Sequence, residues 1–352
     1  MAQRDTATDY DHGPVQTFLD EMELYGRSTS TIGDYRTTLR QLRAFLTAHD
    51  TPIEDATRGD CLQWIQSLRE DDYAPGSIRT KAVHVNRFYG YMVQTGEFDE
   101  NPMVVVMEEM SERGDSSPTR RRIAVEEMRE FVGSIRNPLH RAIVLVLAKT
   151  GIRVGELCNL DLRDVNLAHP AIAEYYGSRP RAAISDRENT LFVTSDINVD
   201  DTVNGEERTE GNKRHRDTRI PVDAEVERAI VEWLAIRPDV ESAAEPLFVN
   251  VSESYGERLT SEMVRAYVTG LARENGWYTT GAGVEENVTP HYFRHFFTTE
   301  MRQRTDDGYL VKYLRGDVGD VMDRYTHNWQ QLVAEPYTQS VYHLTTRRRR
   351  SS

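Results

Sequence analysis

Cysteine is almost missing from this 352-residue chain: Cys61 and Cys158 are the only two. Two thiols in this length exclude a disulfide framework and a cysteine-based metal centre. No apolar run approaches a membrane span, and residues 1–13 are polar, without an apolar signal region. These absences predict an intracellular, cytoplasmic protein with no membrane partner. A basic excess is lacking too. Asp and Glu outnumber Lys and Arg by 57 to 43, the net charge is -14, and lysine is scarce beside arginine. An acid-rich, lysine-poor surface suits molar salt and suggests a halophilic, archaeal source. In such salt counterion release adds little attraction to phosphates, so global acidity does not exclude nucleic acid and local charge must decide.

The length accommodates two domains with real cores. Residues 1–13 read as a disordered leader. Residues 14–110 read as an all-helical domain of about four helices. Its apolar stripes are Val15–Leu24, then Ile32, Tyr35, Leu39, Leu42, Phe45 and Leu46 behind a Ser28 cap, then Cys61, Ile65 and Leu68. A fourth runs from Ser77 to Met92 and is stopped by Gly96. Arg79 and Lys81 on this fourth helix are candidate nucleic-acid contacts; solvated charges explain them equally well. Residues 111–122 are polar, carry Ser-Ser-Pro and break the helical period, as a linker does. Its Arg120-Arg121-Arg122 cluster could lie against a backbone phosphate.

From Ile123 to Leu344 the pattern is mixed. Helices are expected over Val125–Ile135, Pro138–Lys149, Ala224–Ile236 and Ser261–Asn275, and again from His291. Thr190–Thr194 and Thr218–Val222 have the period of strands around a long polar insertion. The fold class expected is therefore mainly α: an all-helical N-terminal domain and a C-terminal α+β domain with a small antiparallel sheet. Residues 345–352 form a basic tail.

Thr289-Pro290-His291-Tyr292-Phe293-Arg294-His295 is the stretch that carries most chemistry. Thr-Pro reads as a helix start, with a hydroxyl cap and a proline whose missing N–H costs nothing. His291, Arg294 and His295 then leave one face of the first turn, an arrangement suited to an oxyanion. Zinc is the competing use of His-x-x-x-His. It lacks the glutamate that the protease pattern requires, since Tyr292 stands there, and no third ligand is near; no metal is expected. Two other features are notable. Arg153 and Glu156, three apart in Thr-Gly-Ile-Arg-Val-Gly-Glu-Leu, share a face, so the carboxylate can orient the guanidinium; such pairs are usually surface pairs worth about 0.3 kcal/mol. Gly211–Arg216 is a basic turn (Gly-Asn-Lys-Arg-His-Arg) in an otherwise acidic chain.

In this order, the arginine, the lysine of a basic turn, His-x-x-Arg-His and Tyr325 in Arg-Tyr-Thr-His resemble the tyrosine recombinase (phage integrase) family. The resemblance extends over roughly residues 14–344, the helical part resembling that family's core-binding domain. It implies that Arg153, Lys213, His291 and Arg294 are catalytic, with Tyr325 the nucleophile. Arg214 or Arg216 could be mistaken for that lysine, and both are candidate DNA contacts with Arg79, Lys81 and Arg120. Glu156 and His295 are secondary candidates. One position departs. About nine residues before the tyrosine the family has a histidine or tryptophan, where this chain has Arg315-Gly316-Asp317; Asp317, or else Gly316, matches it. A carboxylate cannot donate the hydrogen bond an imidazole would.

The resemblance implies DNA strand cleavage and rejoining through a 3′-phosphotyrosine, without metal, ATP or other cofactor. Its partners would be double-stranded DNA and further copies of the chain, as a tetramer, acting at the nucleoid. Trp329 to Leu344 would pack on a neighbouring protomer. Relaxation of the type IB topoisomerase kind is one alternative, and a regulator that binds DNA without cutting is another.

Overall fold

The computed structural model describes residues 13–110, 120–169, 180–252, 254–317 and 328–345. The chain divides into two compact units, Met1–Pro118 and Thr119–Ser352.

The first unit is helical: α1 (Pro14–Leu24), α2 (Thr29–Ala48), α3 (Arg58–Glu70), α4 (Pro75–Thr95) and α5 (Met103–Glu109). Ser28 caps α2 by accepting from the Thr31 N–H at 3.3 Å, and Thr57 with Asp60 forms a capping box on α3. Gly96 ends α4 in the left-handed region, at φ 79°. The stripes meet in one core holding Phe18, Leu39, Leu42, Trp64, Ile65, Val85, Phe88 and Met92. Phe18 and Phe88 pack edge to face with centroids 5.5 Å apart. Buried Tyr89 donates to the Ile53 carbonyl at 2.9 Å. The short α5 was not legible as a helix: Val104 and Val105 are exposed, so its apolar run has no single face.

The second unit is built round α7 (Pro138–Thr150), buried from Ala142 to Thr150. A helix apolar on all sides needs neighbours on all sides. They are α6 (Val125–Ser134), α8 (Val154–Cys158), α9 (Ala224–Leu234), α10 (Ser261–Glu274) and α11 (Pro290–Arg304). Beside them lies an antiparallel sheet in the order β1 (Val165–Asn166), β2 (Thr190–Val193), β5 (Thr218–Pro221), with Leu191 opposite both Val165 and Ile220. A hairpin, β3 (Thr202–Val203) and β4 (Glu206–Glu207), interrupts the polar insertion. Asp161 ties it down, accepting from Arg208 and Arg258 inside the unit. Helix α12 (Gly308–Arg315), a π-helical turn (Gln330–Ala334) and α13 (Glu335–Ser340) close the described chain.

The C-terminal segment makes contacts within its own unit. Tyr337 donates to the Lys149 carbonyl at 3.0 Å, Tyr342 to the Ala148 carbonyl, and Leu344 N–H to Glu225 at 2.8 Å. The reason is local: the last turn of α7 presents carbonyls that α8 does not continue to use, and two buried phenols satisfy them. The leader and most of the linker and tail expected at 1–13, 111–122 and 345–352 lie outside the described residues.

Candidate active site

Gly151 begins the site. It ends α7 at φ 67°, and a Cβ there would lie 2.3 Å from Cδ1 of Phe297. Only glycine lets the chain turn so close to α11. The turn delivers Arg153 to the N-cap of α8, where Glu156 at the third position accepts from the Arg153 backbone N–H at 2.8 Å and from its Nη1 at 3.0 Å. Glu156 is wholly buried. This is therefore no solvated surface pair: the carboxylate is paid for by two guanidinium groups, since Arg214 Nη2 also donates to it at 3.1 Å.

Arg294 leaves α11 toward the same place. Its helix starts with Pro290 at the first turn, but Thr289 makes no side-chain cap, contrary to expectation. Tyr292, Phe293, Phe296, Phe297 and Met301 face the core, which fixes the direction of the opposite residues. Buried Arg294 donates through Nη1 to the Gly151 carbonyl at 2.6 Å and the Arg315 carbonyl at 3.0 Å. Its Nη2 donates to Oδ1 of Asp317 at 2.6 Å, and Nη2 of Arg153 donates to that same oxygen at 2.9 Å. Arg315 Nη2 lies 2.9 Å from the other oxygen, Oδ2. Three guanidinium groups thus converge on one carboxylate.

Burial first, then neighbouring Arg153, brings Arg294 down to about 9, with Asp317 opposing. It stays protonated at neutral pH. His291 and His295 are exposed on the first turn of α11. Desolvation lowers the His291 pKa, helped by Arg120, Arg294 and Arg315; desolvation also lowers that of His295, helped by Arg120 and Arg315. Neutral imidazoles keep one ring N–H for donation and one nitrogen free to accept.

The basic loop divides its residues. Lys213 is exposed and Arg216 half-buried. Arg214 is not the surface contact the sequence suggested: it is buried, donating to Glu156 and, at 3.1 Å, to the Leu314 carbonyl. Its stem fills the space over Gly316, where a Cβ would come within 2.7 Å of it. Gly316 therefore offers no side chain to the site, and Asp317 is the residue that reaches the arginines. Asp317 does so as an acceptor. Arg120 is half-buried beside the two histidines, while Arg121 is fastened to the unit through the Gly276 carbonyl at 3.1 Å. In the first unit Lys81 donates to Gln41 at 2.8 Å and lies over the Tyr73 ring, and Arg79 is half-buried.

Tyr325 falls within 318–327, outside the described residues. Three other tyrosines of this region have structural work. Tyr313, Tyr337 and Tyr342 are buried, each donates to a backbone carbonyl, and burial raises each phenol's pKa. Among the described residues the one group of metal-ligating type is Asp223, Glu225 and His343. The Lys149 ammonium already sits against both carboxylates, so the cation there is the protein's own.

Two phage integrase profiles match the chain in tandem. One, described as the phage integrase N-terminal SAM-like domain, covers residues 15–96, and the other, described as the phage integrase family, covers 191–331. The chain belongs to the phage integrase family. Curated relatives agree over nearly the whole length. Tyrosine recombinase XerC of Chromohalobacter salexigens is 24% identical over 349 residues, 96% of this chain and 98% of the relative. Tyrosine recombinase XerA of Pyrococcus horikoshii is 24% identical over 86% of this chain and 84% of the relative. Among solved structures, the Tn1549 transposon integrase in complex with transposon right end DNA matches at TM-score 0.64 and 17% identity, covering 91% of this chain and 99% of that one. A lambda integrase dimer bound to a core site matches at TM-score 0.60 and 15% identity, covering 89% and 96%. These structures share the family's mainly α fold, with its helical first domain and α+β second domain.

Proposed function

We propose that this family member is a tyrosine-type site-specific DNA recombinase. The observation that carries the reading is the single carboxylate oxygen of Asp317 shared by Arg153 and Arg294. Two buried or half-buried guanidinium groups aimed at one anionic oxygen form an oxyanion seat, built before any substrate arrives.

With a phosphodiester in that seat, Arg153 and Arg294 neutralise the charge growing on the non-bridging oxygens, and His291 donates a further bond. The Tyr325 phenol gives up its proton to solvent as its oxygen attacks phosphorus, the bond to the 5′ oxygen breaks, and Lys213 protonates the departing 5′ oxygen. The product is a 3′-phosphotyrosine and a free 5′-hydroxyl. Since the bond energy is retained, a second 5′-hydroxyl reverses the step and joins strands without ATP. Glu156 holds Arg153 in orientation. Arg79, Lys81, Arg120 and Arg216 contact the DNA backbone, and the working form is a tetramer on double-stranded DNA at the cytoplasmic nucleoid. Among the described residues no helix is long and apolar enough to cross a membrane.

The test is strand exchange in molar KCl between two plasmid-borne copies of the DNA flanking the gene. Recombinant junctions with the wild type and none with Tyr325→Phe are expected. Relaxation without exchange would assign topoisomerase behaviour, and site-specific binding without cleavage would overturn the reading.

A further inference from the structure

Arg315 belongs to the phosphate seat although no pattern in the sequence marks it. Its guanidinium shares Asp317 with Arg153 and Arg294, but takes the opposite oxygen. A carboxylate bridged in this way stands in for a substrate phosphate: two arginines on one oxygen, a third on the other. Among the described residues, Arg153, Arg214, Arg294 and Arg315 in this cluster are paired with two carboxylates, Glu156 and Asp317. The Arg315 charge also contributes, behind desolvation and Arg120, to the lowered pKa of His291 and of His295. The side chain is half-buried, with its carbonyl fixed by Arg294 at 3.0 Å. The stretch Arg315-Gly316-Asp317 is also where the chain lacks an imidazole or indole.

Resting on the recombinase reading above, we propose that Arg315 is a third catalytic cation that binds the scissile phosphate directly, its guanidinium supplying the donor that Asp317 cannot. Asp317 then serves as the placeholder anion of the DNA-free protein, passing its three arginines to the phosphate on binding. Arginine suits this exchange because its planar fork fits carboxylate and phosphate alike.

The test compares wild type, Arg315→Ala and Arg315→Lys on a bound duplex from the DNA flanking the gene. One substrate carries the normal phosphodiester at the cleavage position, the other a methylphosphonate, in which a methyl group replaces one charged oxygen. Loss of a cation that neutralises phosphate is expected to slow covalent adduct formation about 100-fold or more on the phosphodiester. On the uncharged methylphosphonate the gap between wild type and Arg315→Ala should shrink to less than about tenfold, because the charge that the cation answered is gone. Arg315→Lys should recover part of the phosphodiester rate. An Arg315→Ala protein that reacts at the wild-type rate overturns the proposal, as does a defect equal on both linkages, which would mark a purely structural role. Misfolding falls in that last class, since it cannot distinguish the linkages. If the wild type itself forms no adduct on a site it binds, the recombinase reading fails and this proposal with it.

Discussion

Arg294 and Asp317 are joined by a 2.6 Å hydrogen bond from the guanidinium Nη2 to the carboxylate Oδ1. The seat for an anion is therefore filled by the protein's own anion when no DNA is present. Asp317→Asn keeps the shape and removes the charge. The variant should lose about 2 kcal/mol of stability, the scale of a charged hydrogen bond, because three guanidinium groups then repel one another. Added sulfate should restore more of its melting temperature than it adds to the wild type at matched ionic strength. Equal sulfate responses in the two proteins would show that Asp317 does not occupy the seat.

Glu156 is the buried centre between Arg153 and Arg214. Glu156→Gln leaves Arg214 charged, wholly enclosed and without its counter-ion; burial already lowers that arginine's pKa, with Glu156 opposing. A loss of about 3–5 kcal/mol is expected in chemical denaturation. A change below about 1 kcal/mol would mean that the pair is solvated.

His291 and His295 have pKa values lowered from 6.5, chiefly by desolvation and then by cations including Arg120 and Arg315. As pH falls the unfolded chain takes up these protons before the folded one does. Stability is therefore unaffected above about pH 6.5 and declines as pH drops from there toward the lower folded values. Melting temperatures between about pH 8 and about pH 5 should fall more gently in His291→Gln/His295→Gln than in the wild type. Parallel profiles would contradict this.

Tyr342 is buried against Phe296 and its phenol donates to the Ala148 carbonyl. Tyr342→Ala should cost about 3–5 kcal/mol, the range for losing a core aromatic. Because the segment packs on its own unit, this loss should not depend on protein concentration. A loss that grows on dilution would show that the segment packs on a neighbouring protomer instead.

Much of this was legible in local sequence, for reasons that are themselves local. The α7 run, the proline at the start of α11 and the strands flanking the insertion follow from periodicity and turn chemistry. The Arg153–Glu156 spacing likewise placed both on one face. What stayed hidden depends on contacts between distant segments. Arg214 and Lys213 are adjacent and both cationic, yet one points at Glu156 and the Leu314 carbonyl while the other is exposed. Nothing within the basic loop distinguishes them. Asp317 was marked by its position, but its role as acceptor, and that of Arg315 beside it, emerges only when α12 brings them to Arg153, more than a hundred and fifty positions earlier in the chain. Thr289 shows the opposite limit: its type suits a cap, and the helix begins without one.

The most direct test of the account is the chemical identity of the covalent link. Wild type and Tyr325→Phe would be incubated in molar KCl with nicked duplexes drawn from the DNA flanking the gene, and any adduct digested with protease and nuclease for mass spectrometry. A nucleotide joined through its 3′ phosphate to the tryptic peptide that contains Tyr325 is expected, with no adduct from the variant. A link to any other residue, or an adduct that survives Tyr325→Phe, would contradict it.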